Sequence, residues 1–247
     1  MESVLITGAS RRLGAMIAKD LARSGCFVWI HYRSGKADAE KLRGEIAADG
    51  GLADCVCADL TDIGQTDRML DIVRKSENGK LTTLINNASV MIKGTLGETP
   101  VDAWDRVMDT NLRAVWYLSS RFADLFPAAA RIITIGDANV SKGYREHAVY
   151  GLSKFALKYL TEQMAEAWAP KIRVNLLSPG LALRGDREPE ELWNRRLERV
   201  PAGNEGITDE ILKTVRFLMS DPGMTGSELL IDNGLHLHEK KRNYEVK

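Results

Sequence analysis

The chain has little of what marks secreted, membrane-spanning or nucleic-acid-binding proteins. Three cysteines in 247 residues are an odd number in a long chain, which excludes a disulfide framework. Cys55 and Cys57 alternate along a predicted strand and share a face, but no Cys or His partner stands at metal spacing. They read as core thiols, and no metal is expected. Lys plus Arg equals Asp plus Glu at 34 each, so no basic footprint for nucleic acid is present. No apolar run approaches membrane-span length, so no membrane partner is expected. Met1-Glu2-Ser3 leads straight into a strand, without the basic start and longer apolar stretch of a secretory signal. No linker, repeat or low-complexity run divides the sequence. The expectation is one soluble, cytoplasmic α/β domain with reduced thiols.

Short apolar runs alternate with helical periods. Strands are predicted at Ser3–Thr7, Cys26–His31, Ala53–Ala58, Leu81–Asn86, Arg131–Ile135, Ile172–Leu177 and Glu228–Ile231. Helices are predicted at Leu13–Ser24, Ala37–Asp49, Gln65–Ser76, Tyr150–Ala167 and Asp209–Met219, with one long or kinked helix over Val101–Phe126. This order predicts a doubly wound, Rossmann-like parallel sheet in a single domain, 1–238, with ligands bound outside the carboxyl ends of the strands. The polar segment Leu181–Gly203, with Trp193 among charges, reads as a lid over the site. Trp193 fits either a stacking surface or a packing anchor. Glu239–Lys247 is a charged tail. His236 and His238 share a face and suit a surface or interface role better than ligation.

The most informative segment runs from Asp137 to Lys154. Tyr150 precedes Lys154 by four residues, so both lie on one helical face. An ammonium that close favours the phenolate and is expected to lower the Tyr150 pKa, which would suit proton exchange near neutral pH. Asp137 ends the apolar run thirteen positions upstream. The first strand runs into Thr7-Gly8-Ala9-Ser10-Arg11-Arg12-Leu13-Gly14. Gly8 permits a tight turn and Gly14 close packing of the helix, whose N-terminus would hold a pyrophosphate. The middle glycine of the usual dinucleotide fingerprint is Arg12 here. Together these features point to hydride transfer from a dinucleotide with proton relay through Tyr150.

An NAD site places a carboxylate at the end of the second strand. This chain has His31-Tyr32-Arg33-Ser34 instead, so Arg33 and Ser34, with Arg11, are expected to take the 2′-phosphate of NADPH; a solvated Arg33 is the alternative. Asp59, followed by Leu60, suits the adenine amino group or an N-cap, a role open also to Thr61 and Asp62. Asn87-Ala88-Ser89 would let backbone approach a flat ring.

These residues resemble the short-chain dehydrogenase/reductase family from Thr7 to about Leu237. The match rests on the glycine loop, Asp59, Asn86-Asn87-Ala88, Asn111, the Tyr150–Lys154 pair and Ser178-Pro179-Gly180. The resemblance implies that Tyr150 is the proton donor or acceptor and that Lys154 binds the nicotinamide ribose. It also implies that Asn111 sits in a helix break holding a water, and that Pro179-Gly180 passes the nicotinamide. Members pair the helices carrying Val115, Trp116, Leu118 and Phe122 and Phe155, Leu157, Tyr159 and Leu160, which implies a homodimer or homotetramer. Two departures, Asp137 for serine and Arg12 for glycine, are shared with the pteridine and dihydromonapterin reductases. There the counterparts of Arg12 and Ser89 face cofactor and pterin. An aromatic residue stacks on the pterin where this chain has Met91.

An anionic carboxylate repels a developing alkoxide. A dihydropterin C=N bond instead develops charge on nitrogen and must be protonated, and its ring presents N–H donors. Asp137 therefore favours NADPH-dependent reduction of a pteridine, with Arg12, Ser89, Met91, Leu181 and Trp193 completing the substrate pocket. If Asp137 only caps the next loop, Ser141 takes the serine role. The alternatives are reduction of a carbonyl such as a 3-oxoacyl thioester, and a dinucleotide sensor without turnover. Retention of Asn111, Tyr150 and Lys154 argues against the sensor.

Overall fold

A computed structural model describes residues 1–78, 80–126, 129–140, 143–186, 188–203, 207–220 and 223–237. Ser141, His238 and the charged tail lie outside the described residues. The strands are β1 (Glu2–Ile6), β2 (Phe27–Tyr32), β3 (Leu52–Cys57), β4 (Lys80–Asn86), β5 (Ala130–Ile135), β6 (Ile172–Pro179) and β7 (Glu228–Ile231). They form one sheet in the order β3-β2-β1-β4-β5-β6-β7, parallel throughout. The order reverses between β1 and β4, and every functional segment lies at that carboxyl edge.

Helices cover both faces, as the near-continuous burial of the central strands requires. Val4, Ile6, Val28 and Ile30 turn to one side, against α1 (Arg12–Arg23), α2 (Lys36–Ala48) and α8 (Ile207–Ser220). Leu5, Phe27 and Trp29 turn to the other, against α3 (Ile63–Lys75), α5 (Ala114–Leu125) and α6 (Ala148–Trp168). The strands are visible in the sequence as short apolar runs because they are wedged between two apolar helix layers.

Two elements sharpen the sequence reading, and the first bears out the kinked helix expected over Val101–Phe126. The long helix is α4 (Val101–Met108), a π-helical turn (Asp109–Arg113) and α5. The wide turn carries Asn111, so a local break, not a Pro or Gly, accommodates that residue. Within the segment read as a lid, Glu190–Leu197 forms α7. It has no buried residue, hence no apolar stripe to read; acidic residues in its first turn and arginines in its last complement the helix dipole. The apolar residues expected at a subunit contact also divide. Val115, Leu118, Phe122 and Leu157 belong to the chain's own core, whereas Trp116, Phe155 and Tyr159 remain exposed.

Candidate active site

The carboxyl ends of the strands open on a cavity of about 530 Å³. The β1–α1 loop forms its floor and is hooked to the end of β4. Thr7 Oγ1 accepts the backbone N–H groups of Asn87 and Ala88 at 2.9 and 3.0 Å. Asn87 Nδ2 donates back to the carbonyls of Thr7 and Gly8 at 2.8 and 3.1 Å. The loop is therefore drawn so close that a Cβ on Gly14 would stand 2.6 Å from both Asn87 Nδ2 and the Gly8 carbonyl. Gly8 has φ +61° and leaves no room beside the Ala88 backbone.

His31 is the second hook. Gly8 N–H donates to His31 Nδ1 at 3.0 Å, which makes that nitrogen the acceptor and leaves Nε2 to donate to the Ala58 carbonyl, 3.0 Å away. Both bonds need the neutral ring, and complete burial pulls the His31 pKa down to about 4.

Arg12 occupies the glycine position of the fingerprint with φ +55°, a conformation costing roughly 1–2 kcal/mol for an ordinary residue. Its guanidinium reaches across the cavity mouth to the Asp186 carboxylate and to the Arg184 carbonyl, the latter at 3.1 Å. The glycine loop is thus tied directly to the 181–203 segment.

Tyr32, Arg33, Ser34, Asp59, Leu60, Ser10 and Arg11 line one end of the cavity. Among the described residues neither Arg11 nor Arg33 has an ion pair, and both are exposed. Asp62 caps α3 by accepting Gln65 N–H at 3.0 Å, so Asp59 is not the N-cap. Asp59 Oδ1 instead accepts from Thr61 N and Oγ1 at 3.0 and 2.7 Å. Burial pushes its pKa up, but those two bonds and the nearby Arg33 charge outweigh burial and hold it below the usual value. Asp38, in the first turn of α2, faces the same end. The sequence reading stopped at Ser34 and missed this carboxylate, which an acidic first-turn residue right after the strand signals.

At the other end, Asp137 ends β5 and meets two phenols. Tyr150 Oη donates to Oδ2 at 2.9 Å, and Tyr144 Oη stands 2.8 and 2.7 Å from Oδ1 and Oδ2. Lys154 Nζ donates to the Ile135 carbonyl at 2.7 Å and lies 6.0 Å from the Tyr150 ring centre. The sequence expectation for Tyr150 is corrected here. Its pKa is raised, first by burial and then by the Asp137 charge. The carboxylate touches the hydroxyl while the ammonium points to a carbonyl, so the nearer anion wins. Burial lowers the Lys154 pKa to about 8, against the pull of Asp137.

Ser89, Leu13, Pro179, Gly180, Leu181 and Trp193 also line the cavity. Trp193 packs on the buried cluster of Leu181, Val200 and Leu235, with the Arg196 guanidinium 5.7 Å from its ring. Gly180 is required because a Cβ would meet the Asp232 backbone at 2.8 Å. Two predicted residues are elsewhere. Met91 is 51% exposed and does not line the cavity; Val90 does. Val90 is pinned through its N–H and carbonyl to the Asn111 side chain at 2.8 and 2.9 Å, so its neighbour projects outward. Asn111 is buried behind the wall. Its amide is spent on Val90, Ser89 and Ser153, and Thr110 lines the cavity in its place. Its side chain therefore braces β4 against α6. Tyr144, Arg196, Val90 and Thr110 join Asp38 among the site residues that sequence reasoning missed.

Comparison with known proteins sets this geometry in context. Residues 8–236 match the family model described as Enoyl-(Acyl carrier protein) reductase. The short-chain dehydrogenase/reductase FrzI of Cladobotryum sp is 31% identical over 251 residues, covering 95% of each chain. The 3-oxoacyl-(acyl-carrier-protein) reductase FabG of Staphylococcus aureus is 30% identical and covers 96% of this chain and 98% of its own. Among solved structures, FolM Alternative dihydrofolate reductase 1 from Brucella canis, complexed with NADP, superposes with a TM-score of 0.89 at 30% identity, covering 98% of this chain and 96% of that one.

The His31 hook makes stability pH-dependent. An unfolded imidazole titrates near 6.5, whereas His31 titrates near 4 in the fold. The stability is whole above pH 6.5 and is lost as pH falls toward 4, because the unfolded chain takes the proton first. The span corresponds to about 3 kcal/mol. Urea unfolding between pH 7.5 and 4.5 should show this slope, and His31→Gln should flatten it.

Proposed function

The chain belongs to the short-chain dehydrogenase/reductase family, and from that membership and the site geometry we propose that it is an NADPH-dependent reductase of a dihydropterin or related pteridine. The observation that carries this reading is the Asp137 carboxylate hydrogen-bonded to the Tyr150 phenol.

The residues present fit the cofactor. Gly8 and Gly14 draw the loop against Ala88 and Asn87 and line the cavity at the N-terminus of a twelve-residue helix. We assign Gly8, Ser10, Arg12, Leu13 and Gly14 to the pyrophosphate, and Arg11, Arg33 and Ser34, with Tyr32 beside them, to the 2′-phosphate. Asp59 and Leu60 would hold the adenine. Asn87, Ala88, Ser89, Lys154, Pro179 and Gly180 would hold the nicotinamide riboside. That FolM from two Brucella species was solved with NADP supports the phosphate-bearing form. When bound, NADPH supplies the hydride.

The chain's own residues manage the proton. Tyr150 keeps its hydrogen because burial and Asp137 both oppose the phenolate, so it is poised as a donor, the role reduction requires. Asp137 accepts from donors and so suits a ring with N–H groups better than an alkoxide. Lys154 places a positive charge behind both. The segment 181–203, held by Arg12 to Asp186, would close the pocket and exclude water, with Trp193 offering the aromatic face that Met91 does not. The exposed Trp116, Phe155 and Tyr159 are the surface we assign to a homo-oligomer contact. A second reading, reduction of a 3-oxoacyl thioester, is favoured by the FabG relatives and by the exposed position of Met91.

Three outcomes test the proposal. NADPH should be preferred over NADH, and Arg33→Ala should raise the KM for NADPH roughly tenfold while leaving that for NADH nearly unchanged; equal constants in the wild type would sink the assignment. Asp137→Ser should reduce turnover of dihydrobiopterin or dihydromonapterin about a hundredfold or more, with NADPH binding intact. Gain of acetoacetyl-thioester turnover in that variant would mark Asp137 as the selector, and unchanged pterin turnover would refute its role. Because Lys154 is cationic only below its pKa of about 8, kcat should decline as pH rises through 8. Lys154→Arg, which keeps its charge, should lose that limb.

A further inference from the structure

Resting on the reading of Asp137 as the substrate-facing acceptor, we infer that Tyr144 is a positioning residue that holds this carboxylate while Tyr150 turns its hydrogen toward substrate. Asp137 lines the cavity, and Tyr144 does not; the second phenol grips the carboxylate from outside the wall. Its hydroxyl spans both oxygens, at 2.8 and 2.7 Å. The Asn139 backbone N–H donates to Oδ1 at 2.8 Å, and Tyr150 fills a place on Oδ2.

A carboxylate offers about four acceptor places. Among the described residues three donors meet it, Tyr150, Tyr144 and the Asn139 N–H. Tyr150 cannot protonate a substrate while its hydrogen points at Asp137, and turning that hydrogen away strips a half-buried anion of a donor. A charged group left short of a partner is costly. Tyr144 and Asn139 stay in place through that step, so the carboxylate is never bare.

The surroundings build Tyr144 in for this task. Its ring meets the Tyr150 ring edge-on at 5.5 Å. It fills the space over Gly151, where a Cβ would come within 3.2 Å of Cδ2. The backbone just beyond it is anchored, with Gly94 N–H donating to the Glu146 carbonyl at 2.8 Å and Ala148 N–H to the Gly94 carbonyl at 3.2 Å. Burial, then the Asp137 charge, raises the Tyr144 pKa, so it remains a donor throughout the working range. Among the described residues, the other charged or titratable groups facing the cluster are Lys154, from α6, Arg196, from α7, and His147, whose ring meets Tyr144 edge-on at 6.5 Å.

The test compares Tyr144→Phe, which keeps the ring, with Tyr144→Leu, which loses ring and hydroxyl. The phenylalanine variant should keep its melting temperature and NADPH affinity but lose kcat roughly tenfold. In an Asp137→Asn background the same change should have no further effect on residual turnover. A phenylalanine variant as active as wild type, with loss only in Tyr144→Leu, would reduce Tyr144 to packing and overturn the inference. Dihydropterin and acetoacetyl thioester are assayed side by side, so a failed pterin reading shows as turnover of the thioester alone. If the wild type reduces neither, a crystal structure of Tyr144→Phe decides. A carboxylate swung away from Tyr150 supports the inference, and an unmoved one overturns it.

Discussion

The hydrogen bond from the Tyr150 phenol to the Asp137 carboxylate is the contact on which the chemistry of this site depends. Together with burial, the larger cause, it keeps the hydrogen on the phenol, while the ammonium is directed at the Ile135 carbonyl. It also sets direction. A phenol that holds its hydrogen serves a reduction, in which the acceptor atom must be protonated; an oxidation would need the phenolate first. The Tyr–Lys spacing by itself suggests the opposite balance, so the identity of residue 137 changes what the same pair of side chains is suited to do.

That contact stands on a scaffold built from the strand ends. Ile135, Gly136 and Asp137 leave β5 where it lies between β4 and β6. Gly136 is forced by Ser178 Oγ, which a Cβ would approach to 2.4 Å, so the side chains of β6 fill the space beside it. Asn111 braces the opposite wall through Ser153, whose hydroxyl donates to the Tyr150 carbonyl at 2.7 Å. The backbone of the donor residue and the loop bearing Ser89 and Val90 are thus fixed by one buried amide. Holding a site through groups that never touch substrate lets the wall residues vary without moving the reacting atoms.

Most of the fold was legible because burial on both faces of a parallel sheet writes itself into the strands, and amphipathic helices between them carry a clear period. The glycine loop and the Tyr150–Lys154 pair were legible for the same reason: they need special residues at fixed offsets. What could not be read were contacts set by direction instead of spacing. Met91 and Val90 are neighbours, and which one faces the cavity depends on the grip of Asn111, twenty residues away. Tyr144 lies in a loop with no period, and its bond to Asp137 is made by how that loop folds back. Helix α7 has no fully buried residue and packs only Trp193 and Leu197 on the core, so its apolar pattern is faint. The expected pKa of Tyr150 failed on the same ground, since spacing locates Lys154 on the right face but does not say where its ammonium points.

Arg12 joins the two ends of the cavity. A glycine at that position would adopt φ +55° without strain, so the arginine's side chain must offset a backbone cost of roughly 1–2 kcal/mol. It does so through the Asp186 carboxylate and the Arg184 carbonyl, both on the segment that also carries Trp193. The pair itself is exposed, with 38% and 72% of the two side chains accessible, and an exposed ion pair contributes little on its own. The latch therefore offsets the strain only in part, and the balance between them can be tipped by a further anion near the guanidinium. A phosphate held at the N-terminus of α1 is such an anion. It would compete with Asp186 for the same cation, and the cofactor end of the cavity would then govern how firmly the segment over the substrate end is held.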